Sequence, residues 1–186
     1  MPTGTGSSTL TYLLMDEATK EVLIVDPVLE QARVVPTCRH HCPTSDYPRP
    51  PWLSAGSTDR ADVCRAPPPR AQVDRDLAAV EAMGGQLVLA LNTHAHADHI
   101  TGSGALKQRV PGLRSAISAA SGAKADQLLA EGEEVSWAAG TRTLKVLPTP
   151  GHTTGCVSYY DAQLGVVFTG DTLLIRGCGR TDFQVK

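Results

Sequence analysis

A chain of 186 residues that is 41% apolar has the size and composition of one domain with a real core, and an aromatic content of only 4% leaves branched aliphatics and Ala to fill it. The net charge of −2 comes with no Lys/Arg stripe along any element, and no apolar run approaches the ~20 residues of a bilayer span, so the pattern argues against nucleic-acid and membrane roles. Five Cys in no framework pattern read as reduced thiols.

Two short β-type runs open the chain, Thr9 to Leu14 and Glu21 to Val25. Asp16-Glu17-Ala18-Thr19-Lys20 between them reads as a hairpin loop. Asp26-Pro27 ends the second strand, because Pro cannot continue a ladder. From about 31 to 71 the composition changes. This stretch holds Pro50-Pro51 and Pro67-Pro68-Pro69, is rich in Arg, Ser, Thr and Asp, and shows no sustained periodicity. It reads as a disordered insertion interrupting a single domain over 1–186. Its Cys38-Arg39-His40-His41-Cys42 matches no standard zinc spacing and reads as fortuitous.

Val73, Leu77, Val80 and Met83 give the apolar face of a helix over Val73 to Met83, stopped at Gly84-Gly85. A buried strand follows at Gln86 to Leu91, then a short helix over Ser103 to Val110, stopped by Pro111-Gly112. Further strands are expected at Arg114 to Ser118, Glu134 to Trp137, Thr143 to Leu147, Cys156 to Tyr160 and Gly165 to Phe168. Strands outnumber helices, which points to a β-sandwich with outer helices rather than a doubly wound parallel sheet.

The strand at Gln86 to Leu91 runs into Thr93-His94-Ala95-His96-Ala97-Asp98-His99, four potential metal ligands within six residues. Two later loops, each next to an apolar run, add Pro150-Gly151-His152-Thr153 and Thr169-Gly170-Asp171. Imidazole and carboxylate together suit zinc, iron or manganese. Two arrangements are open. A mononuclear site of two His and one carboxylate would use His94, His152 and Asp171, the donor set of non-haem Fe(II) oxygenases. A dinuclear hydrolytic site would use His94, His96 and His152 for one ion, Asp98 and His99 for the other, and Asp171 as bridge. The second ion would want one more ligand, and no His follows His152 in this sequence. In the mononuclear case His96, Asp98 and His99 would orient ligands by hydrogen bonding. Cys156 and Cys178 read as packed thiols. Arg180 is a candidate clamp for a substrate carboxylate, because guanidinium is a bidentate donor.

His94-Ala95-His96-Ala97-Asp98-His99 resembles the signature of the metallo-β-lactamase superfamily. That resemblance implies an α/β fold, the αβ/βα sandwich of two packed sheets with helices outside. Flanking stretches look like the persulfide dioxygenases, which oxidise glutathione persulfide. They are Thr11 to Leu14, Asp26 to Glu30, Asn92 to Gly104, Pro150 to Val157 and Phe168 to Gln184, above all its Leu173-Leu174-Ile175-Arg176-Gly177-Cys178-Gly179-Arg180-Thr181-Asp182-Phe183. Glyoxalase II enzymes share Gly-Cys-Gly, but carry an aromatic where this chain has Ala97 and His where it has Cys156.

The resemblance to the dioxygenases implies His94, His152 and Asp171 as ligands of one Fe(II) per chain, with Zn(II) as the alternative. It implies glutathione persulfide and O₂ as substrates, sulfite and glutathione as products, and mitochondrial sulfide oxidation as the role. The cytoplasm is the alternative compartment, because Met1 to Ser8 shows no presequence pattern. It also admits a homo-oligomer. Compared with that family, this sequence carries the Pro-rich insertion and stops at Gln184-Val185-Lys186, so the second half of the sandwich is expected to be incomplete, with exposed strand edges. The competing expectations are a glyoxalase II-type thioester hydrolase with two metals, and an inactive fragment.

Overall fold

The computed structural model describes residues 9–29 and 71–182. The expected insertion, with Cys38 to Cys42, lies outside these residues. Ala71, read as the insertion's last residue, is instead the first residue of a helix.

Two sheets pack face to face. The first has the order β1-β2-β3-β4-β5, from Tyr12–Met15, Glu21–Val25, Gln86–Leu91, Arg114–Ser118 and Gln127–Leu129. β1 and β2 form an antiparallel hairpin, whose loop is held by Asp16 Oδ1 accepting from the Thr19 amide at 2.9 Å. β2 to β5 are mutually parallel. Parallel neighbours need a crossover, and α1 (Ala71–Ala82) and α2 (Ser103–Arg109) lie on those crossovers. The expected sandwich of two sheets with outer helices is what forms, although four of the five strands in this sheet run parallel. The second sheet is an antiparallel meander of β6 (Glu134–Trp137), β7 (Arg142–Pro148), β8 (Val157–Asp161) and β9 (Val166–Phe168). Every expected element is present with ends shifted by no more than three residues. The exception is β5, whose three residues were not expected from the sequence.

Side-chain alternation builds two apolar layers. Leu23, Val25, Leu89, Leu91 and Leu129 face Val135, Trp137, Leu144, Val146 and Tyr159 between the sheets. Val22, Ile24, Leu87 and Ala90 face the other way, against Val73, Val80 and Leu106 of the helical layer. β3 changes face partway. Its register with β2 jumps from Leu87 to Leu89, so Val88 is an extra residue in a bulge and both Val88 and Leu89 join the inner layer. β9 is the last strand of its sheet among the described residues. Its Val166 and Val167 are exposed, as are Leu173 to Ile175 beyond it. No helix among the described residues is long and apolar enough to cross a membrane.

Candidate metal centre

The His cluster leaves the inner end of β3, where the chain enters a loop whose backbone is anchored from several sides. Asn92 Nδ2 donates to Ser103 Oγ at 3.0 Å, and Thr101 Oγ1 donates to Asn92 Oδ1 at 2.7 Å, so the two ends of the loop are tied to each other. Tyr159, fully buried on β8, donates its hydroxyl to the Asn92 carbonyl at 2.7 Å. The Val157 amide donates to the Thr93 carbonyl at 2.9 Å. The second sheet therefore grips the loop directly.

The firmest anchor is Asp26, buried at the end of β2 with φ +49. Its Oδ1 accepts from the Thr93 amide at 2.7 Å and its Oδ2 from the Thr93 hydroxyl at 2.8 Å. His96 Nε2 lies 3.3 Å from the same Oδ1. The Thr93 hydroxyl has one proton, already given to Asp26. Its contact with His94 Nδ1, at 2.9 Å, must therefore be accepted from an Nδ1–H. That assignment leaves Nε2 as the lone-pair nitrogen of His94. Burial, and then the neighbouring His96, pull the His94 pKa down to about 4, so the ring is neutral at pH 7. Asp26 read from sequence as a strand terminator and as the start of one of the resembling stretches, with no role at the site. Its role was not legible there, since it sits 67 positions before Thr93.

His152 follows the same logic. It lies beyond β7 on the Pro150-Gly151 loop, and its Nδ1 donates to the Arg180 carbonyl at 2.8 Å. Its Nε2 then faces Asp171 Oδ2 at 3.5 Å. Asp171 stands on a single turn, Gly170–Thr172, just after β9. Gly170 at φ +49 approaches Thr93 so closely that an added Cβ would lie 2.2 Å from its hydroxyl. Gly179 is equally constrained, because a Cβ there would lie 2.5 Å from the Asp171 carbonyl and 2.9 Å from the His152 ring. The two glycines let three loops meet.

The outcome is two groups of ligand-type side chains. His94, His152 and Asp171 bring one ligand atom each within 4.8 Å of one another. His96, Asp98 and His99 do the same beside them. The His94 and His96 rings are 4.0 Å apart by centroid, and those of His94 and His152 5.1 Å. His96 groups with Asp98 and His99, while its ring also lies nearer to His94 than the ring of His152 does. The donor chemistry of the first group suits a metal: two imidazoles, each with its far nitrogen already hydrogen-bonded, plus one carboxylate. Arg180 holds His152 through its carbonyl, while its side chain is largely exposed, 3.8 Å from Asp182. Cys156 is buried, its sulfur accepting from the Thr153 amide at 3.2 Å. Cys178 is exposed, contrary to the reading of a packed thiol.

Residues 4–185 match the family model described as the metallo-beta-lactamase superfamily. The chain is 39% identical over 178 residues to mitochondrial persulfide dioxygenase ETHE1 of Bos taurus, covering 96% of this chain and 53% of that protein. The chain thus spans about half the length of the curated relatives it matches. The crystal structure of ETHE1 from Myxococcus xanthus superposes with a TM-score of 0.68 at 36% identity, over 97% of this chain and 60% of that one. A hydroxyacylglutathione hydrolase of Brucella ovis is 42% identical over 106 residues, covering 55% of this chain and 40% of the hydrolase.

Proposed function

The chain belongs to the metallo-β-lactamase superfamily, and on that premise we propose that it is a persulfide dioxygenase with one Fe(II), held by His94, His152 and Asp171. The overall reaction consumes glutathione persulfide, one O₂ and one water and yields glutathione, sulfite and two protons. The observation that carries this reading is the convergence of two His and one Asp within 4.8 Å. Similarity to persulfide dioxygenases over 96% of the chain supports it. Ferrous iron bound there supplies redox chemistry toward O₂ and Lewis acidity toward a thiolate.

The remaining residues prepare that site. Thr93, itself held by Asp26, and the Arg180 carbonyl lock the two imidazoles with their Nε2 atoms as ligands. Glutathione persulfide carries carboxylates, and Arg180, whose backbone carbonyl holds His152 and whose guanidinium is exposed, is a candidate bidentate partner for one of them. The mammalian relatives' mitochondrial names support a mitochondrial setting.

The test is anaerobic loading with Fe(II), metal analysis, and then O₂ uptake and sulfite formation on adding glutathione persulfide. One iron per chain with O₂ uptake is the expected result. A thioester hydrolase is the second reading, favoured by the His96, Asp98 and His99 group. Two metals per chain with hydroxyacylglutathione cleavage and no O₂ uptake would establish that reading instead. Soluble protein that retains no iron would mean an inactive fragment.

A further inference from the structure

The loops that carry His152 and Asp171 are joined by Thr149, the first residue after β7. Its amide donates to the Cys156 carbonyl at 2.9 Å and so closes the base of the loop on which His152 stands. Its hydroxyl reaches the other loop, 2.9 Å from the hydroxyl of Thr172, the neighbour of Asp171. Thr172 Oγ1 also donates to the Thr149 carbonyl at 3.3 Å. On the far side Ser158 Oγ, buried on β8, lies 3.1 Å from Thr149 Oγ1.

The three hydroxyls bring three protons, and only one order of donors uses them all. Ser158 donates to Thr149, Thr149 to Thr172, and Thr172 to the Thr149 carbonyl. Any other order leaves one proton without an acceptor among these contacts, which is costly for a buried group. Thr149 thus holds the His152 loop through its main chain and the Asp171 turn through its side chain. A second tie between the same loops is main chain alone: the Gly179 amide donates to the Asp171 carbonyl at 2.6 Å, and the next residue's carbonyl accepts from His152. His94 lies on neither tie, because its ring is set from β2 by Asp26 through Thr93.

We infer that Thr149 is a positioning residue of the candidate metal centre, whose hydroxyl fixes the spacing of the His152 and Asp171 ligand atoms. Those atoms, His152 Nε2 and Asp171 Oδ2, stand 3.5 Å apart. The inference rests on the reading of His94, His152 and Asp171 as metal ligands, and not on the reaction carried out there. Thr149→Val keeps the shape and removes the hydroxyl. Ser158 then loses its acceptor, and Thr172 keeps only the longer contact to the Thr149 carbonyl. The Asp171 turn is freed to shift against the His152 loop.

The experiment measures Fe(II) affinity of the full chain anaerobically by chelator competition, and records the visible spectrum with Co(II) in place of iron. Thr149→Val is expected to bind Fe(II) about 10–100-fold more weakly and to change the Co(II) ligand-field bands, and Thr149→Ser to restore both. Thr172→Val removes the same contact from its other end and is expected to show the same loss. The double variant is expected to bind no more weakly than the weaker single variant, as for two ends of one contact. Val135→Ala, a core truncation on β6, is expected to lower the melting temperature and leave affinity and spectrum unchanged. Wild-type affinity or an unchanged spectrum in Thr149→Val, additive losses in the double variant, or an equal loss in Val135→Ala would each overturn the inference and leave the metal centre standing. Wild-type protein that binds neither ion would overturn the metal-ligand reading and the inference with it.

Discussion

Thr93 is the smallest part of the centre and the one on which its proton arrangement turns. Its hydroxyl gives its proton to Asp26 and accepts the His94 Nδ1 proton, so a single oxygen sets which nitrogen of His94 is free. Thr93→Val keeps the shape and removes that oxygen. It leaves Asp26 Oδ2 buried without a donor, which costs about 1–3 kcal/mol, and lets the His94 ring take either tautomer. Loss of such a supporting contact typically weakens metal affinity about 10–100-fold. Thr93→Val is therefore expected to fold, melt at lower temperature, and release iron to a chelator far more readily than wild type. Thr93→Ser retains the hydroxyl and is expected to hold iron like wild type. Equal iron retention by Thr93→Val and wild type would show that the hydroxyl does not set the ligand. The grouping of His94, His152 and Asp171 was legible in the sequence because three His within six residues, a Gly-His-Thr turn and a Thr-Gly-Asp turn are chemically conspicuous. Asp26 and Gly170 were not, because their roles are contacts across long sequence separations rather than patterns.

At the scale of elements, the well-patterned strands and helices were readable and the marginal ones were not. β6 alternates Glu134, Val135, Ser136, Trp137 with the burial its side chains demand, and its limits match the sequence reading. β5 is three residues long, Gln127–Leu129, too short for any periodicity to show, and exists because β4 offers it an edge. α1 carries a local cost of its own. Asp76 is buried there, with Oδ1 accepting from Gln72 at 2.8 Å and Oδ2 without a hydrogen-bond partner. Burial raises its pKa from 3.8 to about 6, against the opposing contacts of Gln72 and Arg75. Because the folded value is the higher one, the folded chain binds the extra proton between those pH values. Asp76 therefore destabilises the fold above about pH 6, by about 3 kcal/mol at most, and the penalty fades as pH falls toward 4. Asp76→Asn, which keeps the oxygen that Gln72 needs, is expected to be more stable than wild type at pH 7.5 by about 1–2 kcal/mol, after the loss from a buried amide without a full set of partners. Urea unfolding at pH 7.5 and pH 4 checks it. An advantage that does not shrink at the lower pH would rule out ionisation as its source.

For the molecule as a whole, the centre is a seam between the two sheets. The loop after β3 contributes His94, the loop after β7 contributes His152, and the turn after β9 contributes Asp171. An ion bound by all three would cross-link both sheets, and the unfolded chain has no such site. Iron should therefore stabilise the fold by mass action, about 2.7 kcal/mol at a hundredfold excess over Kd. For a domain of this size that is a rise in melting temperature of roughly 5–10 °C. His94→Ala removes one of the three ligands and is expected to lose most of the rise, whereas Asp98→Ala, in the neighbouring group, is expected to keep it. Anaerobic melting with and without Fe(II) distinguishes the cases. If Asp98→Ala abolished the rise as fully as His94→Ala, the ion would lie in the His96, Asp98 and His99 group or span both groups, and the hydrolase arrangement would become the better account. A full rise in His94→Ala would place iron outside the seam altogether, and the three-loop convergence would then be packing rather than a metal site.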